Sequence, residues 1–415
     1  MPSLDALIHP LGVEEFLSGC WGRRARYLPG TPERFAELAV DRQVFAAAAT
    51  SSFLRSGTAH LKAQYFDGEG RHREIAVPAV QIDPLYAAGM TLCLSRIDDD
   101  VRPAALLAEQ VKEALGLAGP VSCNAYLSPP GRGFGLHYDS QSVFILQIEG
   151  AKAWRYSETP AREAPVENLV AEPPSFDQFH ADNPTEQLAM PDPASLVQHR
   201  LGPGDVLYLP PGCWHQTMAD GPSLSLSLTC ATRNFTDLIT SRLARVFRSR
   251  PDWRRDLPAV RPADVPAGAL PDHVERFFAE RLAELRAAVD AMDPRQLANQ
   301  WLGYLASPRR GPPIAPDSAP IGPVDRFRVR RPLRFAIDTQ GDAEMLFIRA
   351  PGLDVVLLPP DTLPFVRELA ARDVFTAEDA TGWAGGDEVF SWDDVHDALE
   401  ALLSVGLITR EPAAP

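Results

Sequence analysis

The sequence predicts an α+β protein. A barrel or sandwich of short strands spans residues 1–232, a helical region 233–306, a linker with connecting strands 307–352, and a small winged-helix-like module 353–415. Three observations carry this. Residues 121–232 hold short β-branched and aromatic runs cut by Gly and Pro, the pattern of a sandwich or barrel. Residues 234–306 switch to apolar positions three and four apart, the period of amphipathic helices. Residues 353–415 place helices before a short strand pair, the order of a winged helix.

In chain order, Val13-Glu-Glu-Phe-Leu reads as a helix turn, and the arginines of Trp21-Gly-Arg-Arg-Ala-Arg-Tyr as solvated surface. Arg71 to Val77 reads as a strand. Pro103 to Leu115 reads as an amphipathic helix with Leu106, Leu107, Val111 and Leu115 at helical spacing. Val143 to Ile148 and Val206 to Leu209 are strands, and Pro210-Pro211-Gly212 breaks the second before Trp214-His215-Gln216-Thr217 resumes. Ser223 to Thr229 alternates strictly between leucine and hydroxyl. The leucine face belongs in a core; the hydroxyl face suits solvent or the wall of a polar cavity. Residues 157–199, rich in Pro, Asp and Glu, form a long insertion of the kind that serves as a lid or binding loop.

Asn234 caps a helix with Asp237 three residues on. Phe235, Leu238, Ile239, Leu243 and Val246 share one stripe. Val274, Phe277, Phe278, Leu282, Leu285 and Val289 share a second, and a third helix covers Gln296 to Leu305. Such stripes suit an intramolecular core or the surface of a homodimer. Residues 307–323 are a Pro/Gly-rich linker. Beyond it, Asp361 to Ala371 is a helix, and Ser391 caps another with Asp394 at the capping-box position.

Composition narrows the function. A hydrophobic share of 45% over 415 residues is that of a globular protein with a full core, and 40 prolines imply stiff loops. The net charge of −15 argues against nucleic-acid or membrane binding and suits a basic partner. The C-terminal module carries thirteen acidic residues against three arginines, so it is expected to repel DNA despite its winged-helix pattern. The five cysteines form no C-x-x-C pair, which fits a reducing compartment. With no signal sequence and no apolar run near the ~18 residues of a membrane span, a cytoplasmic protein is expected.

The chemistry concentrates around His137 and Asp139. Two residues apart on extended backbone, they point the same way. His215, after the Pro-Pro-Gly turn, is the best third ligand. Two histidines and one carboxylate hold one face of an octahedral metal and leave three positions open, the arrangement of non-haem Fe(II) oxygenases, although Mn or Zn also suits it. The other histidines read as structural or solvated. Glu149-Gly150 reads as a tight hairpin turn that sets Gln147 opposite Lys152 and Ile145 opposite Trp154. One sheet face then carries Val143, Ile145, Gln147, Lys152 and Trp154, and a lysine there requires an anion or a hydrogen-bond partner.

The runs Asn124-Ala-Tyr-Leu-Ser-Pro, His137-Tyr-Asp and Phe144-Ile-Leu-Gln-Ile-Glu-Gly-Ala-Lys152-Ala-Trp-Arg resemble the JmjC/cupin family of Fe(II)- and 2-oxoglutarate-dependent oxygenases. Leu201-Gly-Pro-Gly-Asp through Trp214-His215-Gln resembles the second metal motif of its ribosomal oxygenase subgroup, whose members hydroxylate histidine or arginine side chains of ribosomal proteins. The resemblance implies a double-stranded β-helix barrel, a helical dimerisation region and an acidic winged helix. It implies His137, Asp139 and His215 as iron ligands and Lys152 on the distal carboxylate of 2-oxoglutarate. It further implies Asn124, Tyr126 and Thr229 as cosubstrate contacts. The loop from Tyr126 to His137 is one residue shorter than in the eukaryotic members. The reaction so implied consumes O2 and 2-oxoglutarate, releases succinate, and hydroxylates a basic protein substrate such as a ribosomal protein. The alternatives are a hydroxylase of another peptide or small molecule, a lysine demethylase, disfavoured by the lack of a chromatin-reader zinc cluster, and a non-catalytic cupin binding protein.

Overall fold

A computed structural model describes residues 3–56, 60–69, 71–78, 81–260, 271–305, 319–330, 333–340, 343–349, 356–383 and 391–411. Most of the Pro/Gly-rich linker, and Asp354, Asp387 and Glu388 of the acidic set, lie outside them. The chain divides into two compact units, Met1–Thr232 with Ser307–Pro415, and Arg233–Ala306.

In the first unit two antiparallel sheets form the barrel. The larger runs β1 (Arg26–Leu28), β11 (Val206–Leu209), β7 (Ser142–Glu149), β13 (Ser223–Cys230), β5 (Val121–Ser128), β4 (Thr91–Leu94), β2 (Leu61–Phe66), β3 (His72–Ala76). The smaller runs β10 (Val197–Leu201), β8 (Lys152–Tyr156), β12 (His215–Ala219), β6 (Gly133–Tyr138), β9 (Leu169–Val170). The strands from β5 to β8 and from β10 to β13 alternate between sheets as the chain winds, which is the expected double-stranded β-helix.

One face of the larger sheet packs under the N-terminal helices. Leu224, Leu226 and Leu228 of β13 join Phe144 and Leu146 in a core with Leu4, Leu7, Phe16, Phe45 and Leu107. These last come from α1 (Leu4–Ile8), α2 (Val13–Gly19), α3 (Arg42–Ser56) and α5 (Arg102–Ala114), with α4 (Ile82–Ala87) between α3 and α5 in the chain. The hydroxyl face of β13 is buried too: Ser223, Ser225 and Ser227 look away from this core. Of the two readings open for that face, the inner wall is the correct one.

The hairpin expectation is wrong. β7 bonds to β11 and β13, and β8 to β10 and β12, so the two strands lie in different sheets. Both edges of β7 are already taken, which leaves β8 no ladder to join. Glu149-Gly150 is therefore a crossing between sheets, not a hairpin. The alternation within each strand survives the error. Val143 and Ile145 from one sheet and Lys152 and Trp154 from the other line one cavity between them. Gln147 instead bonds Ser223 Oγ at 2.8 Å and the Glu149 carbonyl oxygen at 2.8 Å.

The insertion between β8 and β10 is partly ordered by α6 (Pro173–Asp182), whose Phe176 and Phe179 pack with Leu169, Tyr138 and Trp214. In the second unit, α7 (Phe235–Arg248) starts with the expected capping box, followed by α8 (Pro251–Arg254), α9 (Asp272–Asp290) and α10 (Pro294–Leu305). Near the C-terminus, β14 (Arg326–Val329) lies between β18 (Val374–Thr376) and β19 (Ile408–Arg410), and β15 (Arg334–Gln340), β16 (Ala343–Arg349) and β17 (Val356–Leu358) form a second small sheet. The first sheet thus draws a strand from the stretch read as linker and connecting strands. Around it, α11 (Leu363–Ala371), α12 (Ala377–Thr381) and α13 (Trp392–Ser404) bury Phe365, Leu369, Ala380, Leu399 and Leu402 with Phe327.

Gly150 holds the crossing at φ +66°, and a Cβ there would lie 2.0 Å from the Pro222 carbonyl oxygen. Gly150→Ala is expected to cost about 1–3 kcal/mol from the left-handed backbone alone, with the clash adding to it. Urea denaturation measures this, and an unshifted midpoint would mean that the chain crosses between sheets by another path.

Candidate functional site

The site is built where β6 and β12 pair. His137 lies directly opposite His215, while Thr217 lies opposite Phe134. Three residues of β6 thus span the distance of two on β12, a β-bulge. The bulge lets Phe134 and His137 both face the interior although three apart. Gly133 is required just before it, since a Cβ there would lie 1.9 Å from the Thr217 carbonyl oxygen.

The histidine rings approach with centroids 4.2 Å apart. Each Nδ1 meets a backbone carbonyl, Gly135 O at 2.8 Å for His137 and Cys213 O at 2.9 Å for His215. A carbonyl only accepts, so each Nδ1 carries a proton and each Nε2 is the ring atom left to act as a ligand. Burial first, and then the neighbouring His137, push the His215 pKa down to about 4, which keeps that imidazole neutral at physiological pH. Asp139 follows on the same side of the chain, its Oδ2 3.7 Å from His215 Nε2. The Gly212 N–H donates to the Asp139 carbonyl at 2.8 Å, so the Pro-Pro-Gly turn ties the two ends of the triad together. One donor atom from each of the three residues falls within 4.8 Å of the others. Two imidazoles and a carboxylate, converging in this way, fit a divalent metal.

These residues line a cavity of about 480 Å3 that also holds Lys152, Asn124 and Tyr126. Lys152 is 1% exposed, and its Nζ donates to Ser225 Oγ at 3.0 Å. Burial depresses its pKa to about 7. No carboxylate pairs with it among the contacts of the described residues; the Tyr126 ring lies 5.8 Å away. Asn124 accepts from the Arg96 N–H at 3.0 Å and donates to Thr229 Oγ1 at 3.2 Å. Burial holds the Tyr126 phenol well above its usual pKa, hence neutral.

The expected residues are therefore gathered, with one exception. Thr229 is not part of the cavity wall; it braces Asn124 from behind, and Ser225 and Ser227 of the same face line the wall instead. Counting hydroxyls along β13 could not reveal which of them reaches the lysine. Wall residues that escaped the sequence reading include Asn168, His72 and Glu74. Asn168, from the insertion, donates to Asp139 Oδ1 at 2.9 Å. His72 and Glu74 reach the cavity from β3, and Glu74 pairs with Lys62 at 2.5 Å. His72 was read as structural or solvated, yet it packs against Phe134 with ring centroids 5.4 Å apart. No motif marks these positions, because tertiary folding alone brings β3 and the insertion to the barrel mouth.

Residues 100–238 match the JmjC domain family. The chain is 30% identical over 314 residues to ribosomal oxygenase 1 of Bos taurus, covering 70% of this chain and 40% of that protein. It is 27% identical over 255 residues to the uncharacterized protein YxbC of Bacillus subtilis, covering 58% of this chain and 74% of the relative. It thus spans well under half the length of that ribosomal oxygenase. The structure of YcfD, a ribosomal oxygenase from Escherichia coli in complex with cobalt and 2-oxoglutarate, superposes with a TM-score of 0.56 over 97% of this chain and 99% of that one, at 21% identity. That likeness is one of fold. The barrel, the convergent His-Asp-His triad and the family match agree: residues 100–238 of this chain match the JmjC domain family and carry a triad of the kind described above.

Proposed function

We propose that this chain is an Fe(II)- and 2-oxoglutarate-dependent oxygenase that hydroxylates a side chain of a basic protein, with histidine or arginine of a ribosomal protein as the leading substrate class. The observation that carries this is a single cavity holding both the His137–Asp139–His215 cluster and an internal lysine without a carboxylate partner among the described contacts. The substrate class leans on the relatives named ribosomal oxygenase 1 and on the net charge of −15. NO66 of Drosophila melanogaster, named a bifunctional lysine-specific demethylase and histidyl-hydroxylase, is 31% identical over 146 residues, 33% of this chain and 20% of that one.

In this reading His137, Asp139 and His215 would hold the metal. Bound there, iron would supply the coupling of dioxygen reduction to cosubstrate decarboxylation. The protein's own part is placement. Lys152, backed by Ser225, receives the distal carboxylate; Asn124 and Tyr126 shape the same wall. Dry walls at Val143, Ile145 and Trp154 strengthen the lysine–carboxylate attraction by excluding water. Iron-dependent conversion of 2-oxoglutarate to succinate tests the activity, with a gain of one oxygen on ribosomal proteins, rather than loss of a methyl, marking a hydroxylase. His215→Ala is expected to abolish metal-dependent turnover. Full activity and metal stoichiometry in that variant would remove His215 from the ligand set.

Lys152→Ala is expected to weaken 2-oxoglutarate binding by roughly 2–5 kcal/mol, the cost of truncating one side of a desolvated charge pair, with metal binding retained. Unliganded Lys152 loses its proton near pH 7, whereas a bound carboxylate favours the cation. Binding must therefore take up a proton, and affinity should fall as pH rises above about 7. Calorimetry in buffers of different ionisation heats reads both effects. Equal affinity in wild type and Lys152→Ala would place the carboxylate elsewhere.

The helical unit supports a homodimer. Among its described residues only Phe247 and Val274 are buried hydrophobics, while Phe235, Phe278, Leu282, Val289 and Trp301 are exposed. A unit with so little core of its own is expected to cover these stripes with a second copy. Light scattering should give twice the chain mass, and a monomer at high micromolar concentration would exclude the dimer.

A further inference from the structure

The carboxylate of Asp139 is held by a residue outside the barrel strands. Asn168 lies in the insertion, just before β9, whose Leu169 and Val170 pair with Tyr138 and His137. Its side-chain oxygen accepts from the Ser140 N–H at 2.8 Å and from Ser140 Oγ at 3.0 Å. Those donors settle the amide's orientation and turn Nδ2 toward Asp139, where it donates to Oδ1 at 2.9 Å. The other oxygen, Oδ2, is the one nearest His215. The two carboxylate oxygens thus differ, one engaged by an amide and one facing the histidines.

We propose that Asn168 is a positioning residue that restricts Asp139 to one-oxygen metal ligation and so keeps a coordination position open. This rests on the metal-site reading above. The physical reason is competition. A carboxylate with two free oxygens can turn to chelate a metal through both and occupy an extra position. Asn168, oriented by Ser140, opposes that turn, and because it sits on the insertion it links the order of that segment to the order of the metal site. Outer partners of metal ligands commonly set ligand orientation in this way.

The test is Mn(II) titration of the full chain without cosubstrate, followed by electron paramagnetic resonance, with water-proton relaxivity as second readout. Asn168→Ala is expected to lower the relaxivity of the bound ion, as the second Asp139 oxygen displaces a water, and to shift Mn(II) affinity away from wild type by up to about 10–100-fold. Asn168→Ser, too short to reach Asp139, should behave alike and covers the case in which the alanine variant folds poorly. Ser140→Ala keeps the backbone donor to Asn168 and should remain close to wild type. A purely structural Asn168 would lower the metal-free thermal midpoint yet leave Mn(II) affinity and relaxivity unchanged, and that result overturns the proposal. Wild type that fails to bind Mn(II) would instead overturn the metal-site reading, and this inference with it.

Discussion

Everything at this site depends on one cross-strand pair, His137 opposite His215 on β6 and β12. Strand alternation then dictates the neighbours. Tyr138 and Trp214, each adjacent to a site histidine, must face the other side of the sheet. There they meet with ring centroids 4.7 Å apart, and Phe176 of α6 stacks on Trp214 at 5.8 Å. The polar triad inside is thus clamped by an aromatic cluster outside. A slip of one residue in this pairing would bury the triad in that cluster and turn the aromatics into the cavity, so the same hydrophobic packing that closes the barrel also fixes the site.

The interior is costly in the opposite sense. Lys152 sits among Val143, Ile145, Trp154 and the serines of β13, with the Ser225 hydroxyl and the Tyr126 ring, and no carboxylate, among its described contacts. Its depressed pKa is the measure of that cost: the cation is disfavoured where it stands. Between about pH 7 and the ordinary lysine value the unfolded chain holds more protons here than the folded one, so this residue alone makes folding more favourable as pH rises through that window. A core optimised for stability would place an apolar residue at this position. A destabilising cation beside a metal-type triad is explained by an anionic ligand, which relieves the penalty on binding.

Much of this was legible in the sequence, for physical reasons that differ by element. Period-two alternation in Ser223–Thr229 and Val143–Ile148 survives any error in pairing, because each strand decides its own faces; Val143 and Ile145 do share a face, while Lys152, read onto that same sheet face, meets them from the opposite sheet. Pairing itself was not legible. The run Glu149-Gly150 has hairpin chemistry, yet β7 is satisfied by β11 and β13, whose paired residues lie 60 to 88 positions further along the chain, and local turn propensity loses to that long-range ladder. The same limit applies to Ser225: which hydroxyl of β13 reaches the lysine depends on the stagger between β13 and β8, two strands that never bond. His72, Glu74 and Asn168 carried no signal, since each is an ordinary polar residue until folding delivers it.

The insertion shows how such residues gain their role. It enters from β8 and leaves into β10, neighbours in the smaller sheet, so the barrel would close without it. What it adds is a two-residue strand on β6, an aromatic helix face against Trp214, and an amide on Asp139. All three contacts fall on the segments that carry the triad; the aromatic contact lies outside the cavity, whereas Val170 of the added strand lines it. An element bound to the two triad-bearing segments resists their separation, and it does so most directly at Asp139, which lies one residue past the end of β6 and has no ladder of its own. The carboxylate is therefore the member of the triad that barrel geometry constrains least and that the insertion must constrain most.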